Sequence, residues 1–198
     1  MISSPLVPQR KRFTVQEYHR LVELGFLSED DRIELIRGEL IQMAAKEAAH
    51  ETCVRRLLRQ LPLLIQNRAT LQCQAPISLS FDGEPEPDFA IVCNRPDDYA
   101  TGHPTPEDTL LVIEVANSSI DFDREVKLPL YAEAKISDYW LFNLPDYYLE
   151  TYSDPCQIAP GKFGYLNRKI IPTTESVALP PFPEQVFELV SVFPESLQ

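Results

Sequence analysis

The chain has 198 residues, 44% of them hydrophobic and 24% charged, values that exclude disordered, collagen-like and coiled-coil classes and at roughly 100–200 residues per domain predict one domain. Its 18 Lys and Arg against 30 Asp and Glu give a net charge of −12, the reverse of the broad basic surface with which proteins grip a polyphosphate unaided. A local basic groove, or a metal that bridges carboxylates to phosphate, is compatible with that charge.

No apolar run approaches the ~18 residues of a membrane span. The first ten residues, Met1 to Arg10, lack an apolar stretch long enough for a signal peptide, so a cytoplasmic protein is expected. Residues 1–12 read as a flexible tail of the 1–198 domain. Thr14-Val15-Gln16-Glu17 has the S/T-x-x-E form of a capping box and predicts a helix from about Val15 to Leu24, stopped by Gly25. Two short alternating segments, 32–36 and 39–43, flank Arg37-Gly38 and predict a β-hairpin that carries Glu34 on its first strand.

From Ala44 to about Asn67, Cys53, Val54, Leu57, Leu58, Leu61 and Leu64 recur at helical steps, with Pro62 placed to kink the last turns. Thr70 to Phe81 alternates like a strand, and Asp82-Gly83 makes a turn. Phe89–Cys93 and Thr109–Ala116 are continuous apolar runs, as expected for central strands covered on both faces. The stretch 96–108 reads as a long loop. A helix is predicted from Asp123, its N-cap, to about Ala134, followed by a buried strand over 139–142. Segments 147–152, 163–171 and 187–193 read as antiparallel additions at the C-terminus.

The four cysteines, Cys53, Cys73, Cys93 and Cys156, form no C-x-x-C pair and are expected to be free thiols, mostly buried. With His19, His50 and His103 the only histidines, a histidine-rich zinc site is not expected. Arg55, Arg56 and Arg59 read as a charged outer helix face, or as a phosphate contact. The unusual placement is Glu114, a carboxylate inside the most apolar strand, which is costly to bury unless a cation or hydrogen bonds compensate it. Glu84-Pro85-Glu86-Pro87-Asp88 precedes the neighbouring strand. Acidic residues on two adjacent central strands form a plausible cradle for a hard cation such as Mg2+; the alternative is a solvated or arginine-paired Glu114 and an Asp88 that merely accepts in a turn.

The order Pro87-Asp88, then an apolar strand with Glu114, then Lys127 and Tyr131 on the next helix resembles the PD-(D/E)XK nuclease superfamily. Further segments are Ile33-Glu34-Leu35-Ile36-Arg37-Gly38-Glu39-Leu40, His50, Pro87-Asp88-Phe89-Ala90, Ile113-Glu114-Val115-Ala116-Asn117-Ser118-Ser119, Asp123 and Asp138-Tyr139-Trp140. Together they resemble the Uma-type restriction endonucleases abundant in cyanobacteria, from about Phe13 to Phe193.

That resemblance implies an α/β fold with a restriction-endonuclease-like core, a central mixed β-sheet flanked by helices, with extra antiparallel strands at the C-terminus. It implies DNA phosphodiester hydrolysis assisted by Mg2+ (or Mn2+). Asp88 and Glu114 would hold the metal, and Lys127 would orient the nucleophile or stabilise the phosphorane. The superfamily's usual lysine position, two residues after the acid, is Ala116 here, and Lys127 stands in for it from the next helix. Lys135 is a more distant rival.

Glu34 matches the family's upstream glutamate, or is a solvent-side hairpin residue. His50 and Tyr131 are either additional site-lining groups or ordinary helix and core residues. A homodimer is expected for a double-strand cutter. The rival reading is a non-catalytic interaction module that keeps the fold.

Overall fold

Phe89-Ala90-Ile91-Val92 and Thr109–Ala116 offer apolar side chains to both sides, and only a sheet covered on both faces can bury them. The computed structural model, which describes residues 9–195, places these segments at the heart of a six-stranded mixed sheet. The first eight residues of the expected tail lie outside the described residues.

Two outer elements come first. Helix α1 (Val15–Glu23) opens on the expected capping box, with Thr14 and Glu17 satisfying each other's free N–H groups. Strands β1 (Ile33–Ile36) and β2 (Glu39–Gln42) form the expected hairpin. Arg37 and Gly38 both take positive φ in its turn, the combination a two-residue hairpin needs. A Cβ on Gly38 would meet the Arg12 Cβ at 2.6 Å, so this glycine is required both by conformation and by close approach. The Arg12 guanidinium donates to the Arg37 carbonyl and the Phe13 N–H to the Gly38 carbonyl, which ties the start of the described chain to the hairpin.

Helix α2 (Ala48–Ile65) starts four residues later than expected and ends on Gln66 in the left-handed conformation. The sheet follows in the order β3 (Thr70–Cys73), β4 (Phe89–Val92), β5 (Thr109–Ala116), β6 (Asp138–Asn143), β7 (Tyr148–Ala159) and β8 (Lys162–Pro172). Only β5 and β6 run parallel. Their crossover is α3 (Ile120–Phe122), a π-helical stretch Asp123–Lys127 and α4 (Leu128–Glu133). The strands β9 (Ser176–Leu179) and β10 (Phe182–Glu188) form a separate antiparallel pair.

Alternation along β4 and β5 divides the core. Phe89, Ile91, Leu111, Ile113 and Val115 face Val54, Leu57 and Leu61 of α2 together with Leu179, Phe187 and Val192 near the C-terminus. Ala90, Val92, Val112 and Ala116 face Tyr131, Ile136 and Tyr139 on the other side. Glu114 has the parity of Val112 and Ala116, so the pleat alone points it at the crossover helix.

Three expectations need correction. The strand predicted over 70–81 stops at Cys73, because Gln74 turns into the left-handed region and Pro76 has no N–H for a ladder. The crossover helix begins at Ile120, so Asp123 lies inside it and is not its N-cap. Segment 187–193 is the end of β10 followed by a 3-10 turn, Leu189–Ser191. The crossover helix ends on Ala134 as expected, and Lys135 follows at positive φ, outside the lining of the cleft. Among the described residues, no helix is long and apolar enough to cross a membrane.

Candidate active site

The segment Glu84–Asp88 approaches β4 in extended form, with Pro85 and Pro87 between its three acids. Extended backbone sends alternate residues to one side, so Glu84, Glu86 and Asp88 all line the same cleft of about 940 Å3. The Glu84 N–H donates to the Leu35 carbonyl at 2.7 Å, which joins this segment to β1 and brings Glu34 to the same wall. Asp88 immediately precedes Phe89, which pairs with Ile113, so the antiparallel register sets Asp88 beside Glu114.

At the floor the groups are interlocked. Asp88 Oδ2 accepts from the Val115 N–H at 2.9 Å and meets His50 Nε2 at 3.0 Å, while Oδ1 accepts from Gln74 at 3.2 Å. Glu114 Oε2 accepts from the Asp88 N–H at 3.3 Å. Its Oε1 accepts from Lys127 Nζ at 3.0 Å and from the Tyr131 hydroxyl at 2.8 Å. Lys127 also donates to Glu34 Oε1 at 3.2 Å and is only 2% exposed. The structure thus brings together all six residues singled out from sequence: Glu34, His50, Asp88, Glu114, Lys127 and Tyr131.

Local helix geometry accounts for the lysine. Pro129 supplies no N–H to the carbonyl four residues back, and the chain widens there into a π-helical stretch whose closing bond runs from the Leu128 N–H to the Asp123 carbonyl. Such widenings recur at functional sites. The four-residue spacing of Asp123, Lys127 and Tyr131 then places all three against the sheet. Asp123 is buried, and its carboxylate accepts from Ser119 at 2.7 Å.

The electrostatics follow from burying many acids around one ammonium. Burial alone would raise the Asp88 carboxyl, but hydrogen bonds from His50, Val115 and Gln74 hold it below the ordinary carboxylate range. Glu114 is pushed well up by burial, against the pull of Lys127 and with repulsion from Asp123, Asp88 and Glu34. Asp123 rises to about 6, mainly through burial. Burial works against the charged form of Lys127, yet Glu114, Glu34 and Asp123 more than compensate, and the ammonium stays charged. Burial is the first cause for Glu114 and Asp123, and the surplus of carboxylates over ammonium groups adds to it and raises Lys127: the cavity is short of positive charge.

A hard divalent cation fits that shortage. The donors are carboxylate oxygens, the preferred ligands of Mg2+. Glu34 Oε2 is buried without a hydrogen-bond partner, which is expensive for a carboxylate unless a cation uses it. Arg32 and Lys46 stand on the cleft wall, whereas Arg55 pairs with Glu51 and Arg56 donates to the Phe193 carbonyl; no arginine of that stripe lines the cleft.

Sequence reasoning missed Gln74, Ser119 and the inward role of Asp123. It also passed over Glu84 and Glu86 as site residues, although their period of two with Asp88 was visible. At the mouth of the cleft His19 and His103 meet at Glu84, an approach nothing in the local sequence signals.

A family model described as Uma2, putative restriction endonuclease, matches residues 15–191. The chain belongs to the Uma2 family. No curated protein matches the Uma2 chain. Among solved structures it is similar to the crystal structure of a putative nuclease belonging to DUF820 from Anabaena variabilis. The identity is 14%, the match covers 91% of this chain and 97% of that one, and the TM-score is 0.67. At that identity the likeness establishes that the Uma2 chain and that protein share a fold.

Proposed function

We propose that this Uma2 protein is a divalent-metal-dependent endonuclease that hydrolyses DNA phosphodiester bonds. The observation that carries the reading is the buried Asp88–Glu114–Lys127–Glu34 network at the floor of an open cleft, with one Glu34 oxygen left unpartnered. Asp88 and Glu114 would hold Mg2+ or Mn2+, with Glu34 contributing. The bound ion supplies a more acidic water and an electrostatic counterweight to phosphate charge.

The chain's own residues supply the rest. Asp88 is kept ionised by three hydrogen bonds, so it is a ready acceptor at neutral pH. Lys127 has three N–H bonds and uses two on Glu114 and Glu34; the third is available to orient the attacking water or to contact a phosphate oxygen. Water's oxygen forms the new bond to phosphorus as the water gives up a proton, the bond from phosphorus to the leaving deoxyribose oxygen breaks, and that oxygen takes up a proton. Tyr131 and His50 are positioning residues for Glu114 and Asp88. A twofold dimer would cut both strands.

The net charge of −12 favours a second reading, an interaction module without turnover. Plasmid nicking with Mg2+ or Mn2+ decides between them. Asp88→Asn, Glu114→Gln and Lys127→Met are each expected to lower the nicking rate at least a hundredfold while the circular dichroism spectrum is retained. Wild type that neither binds Mg2+ nor nicks DNA selects the module.

A further inference from the structure

The mouth of the cleft carries a second cluster, chemically unlike the floor. His19 lies on α1, Glu84 on the extended segment bridged to β1, and His103 in the loop between β4 and β5. His19 Nε2 is 2.6 Å from Glu84 Oε1, and one donor atom from each of the three residues lies within 4.8 Å of the others. Two of the chain's three histidines therefore converge on one carboxylate.

We propose that His19, Glu84 and His103 form a binding site for a zinc-class divalent transition-metal ion, separate from the carboxylate site at the cleft floor. Two imidazoles and one carboxylate are a donor set that suits Zn2+ and that Mg2+ does not favour.

Each donor is held for this purpose. Glu84 is 3% exposed, and His19 is its one side-chain hydrogen-bond partner among the described residues. An ion pair with a histidine that is 46% exposed is weak compensation for a carboxylate buried to that degree. His103 makes no hydrogen bond among the described residues, although its ring centroid is 6.3 Å from that of His19. Both rings are exposed enough to exchange a ligand with solvent. Their backbones are anchored: the Val15 N–H donates to the Phe81 carbonyl, Tyr18 to the Ile33 carbonyl, and the Ser78 N–H to the Pro104 carbonyl beside His103.

At bonds of about 2.1 Å, tetrahedral donors sit about 3.4 Å apart, a spacing between the 2.6 Å of the His19–Glu84 pair and the 4.8 Å within which all three donors lie. Three protein ligands leave a fourth position for water or an incoming oxygen ligand. Among the described residues, Asp88 and Glu114 make no hydrogen bond to His19, Glu84 or His103, so the two clusters share no contact. The mouth ion would thus pin α1, the Glu84 segment and the loop together.

The probe is Zn2+ alone, followed by calorimetry and by the ring 1H–15N signals of the three histidines, with Mg2+ held in excess. One bound Zn2+ per chain is expected, moving the His19 and His103 signals and leaving His50 in place. His19→Ala and His103→Ala should each weaken binding at least tenfold. Both positions are exposed enough to be substituted without loss of the fold. The Asp88→Asn/Glu114→Gln variant should keep the Zn2+ site, so failure of the nuclease reading and failure of this one are distinguishable. Unmoved His19 and His103 signals, or wild-type affinity in both histidine variants, would reduce the cluster to an ion pair and overturn the proposal.

Discussion

Asp138 shows how a single half-buried acid acts away from the cleft. It opens β6 opposite Ser153, and burial, with repulsion from Asp154, pushes its carboxyl up to about 6. Because the folded state holds this proton more tightly than the unfolded chain, the associated stability is present below the ordinary aspartate range and lost as pH rises through about 6. Asp138→Asn should therefore be neutral in thermal melts at pH 4 and stabilising at pH 8. Equal melting shifts at both pH values would contradict the assignment. At this scale the sequence was most informative where a residue violated its surroundings: Glu114 among apolar neighbours, or the acids alternating with prolines before β4. It was silent where the role depends on partners far along the chain, as for Gln74, which lies 14 residues from Asp88. Asp123 misled because a helix with a π-helical stretch ahead of Pro129 begins earlier than a regular pattern suggests.

Among the elements, α2 and β7 do the holding. Leu57 is fully buried between α2 and the sheet, and Leu57→Ala should cost about 2–5 kcal/mol in urea unfolding, the range for a cavity in a packed core. Glu150 of β7 is fully buried and accepts from Arg124, Arg168 and Tyr152. It ties the π-helical stretch, and with it Lys127, to two strands. Burial opposes its ionisation, but Arg124, Tyr152 and Arg168 prevail and lower its pKa. This contribution is present above the ordinary glutamate range and fades as the pH falls below it. Glu150→Ala should cost about 2 kcal/mol at neutral pH, with a smaller difference in acid, and should reduce nicking by misplacing Lys127. The capping box, the 33–42 hairpin and the central apolar strands were legible because each is specified locally. The 70–81 alternation was not reliable, since Gln74 adopts a left-handed conformation that no period reveals.

For the molecule as a whole, the shortage of positive charge in the cleft makes stability depend on cations. Mg2+ at a hundred times its dissociation constant should raise the unfolding free energy by about 2.7 kcal/mol, read as a higher melting temperature. The Asp88→Asn/Glu114→Gln variant should lose that response. A metal response retained in that variant would move the ion elsewhere. The order of the site residues was readable along the chain, but the convergence of His19, Glu84 and His103 was not: 65 residues separate the first two, and only the docking of α1 on the hairpin brings them together.

The cleft lining ends, in chain order, at Lys127. The turn between β7 and β8, where Gly161 takes positive φ and its Cβ position meets nothing within 4 Å, is therefore a natural attachment point. A fluorophore or an affinity handle inserted there would report on the protein from outside the chemistry, and the long β7–β8 hairpin offers a place where sequence can drift while the acidic floor is kept.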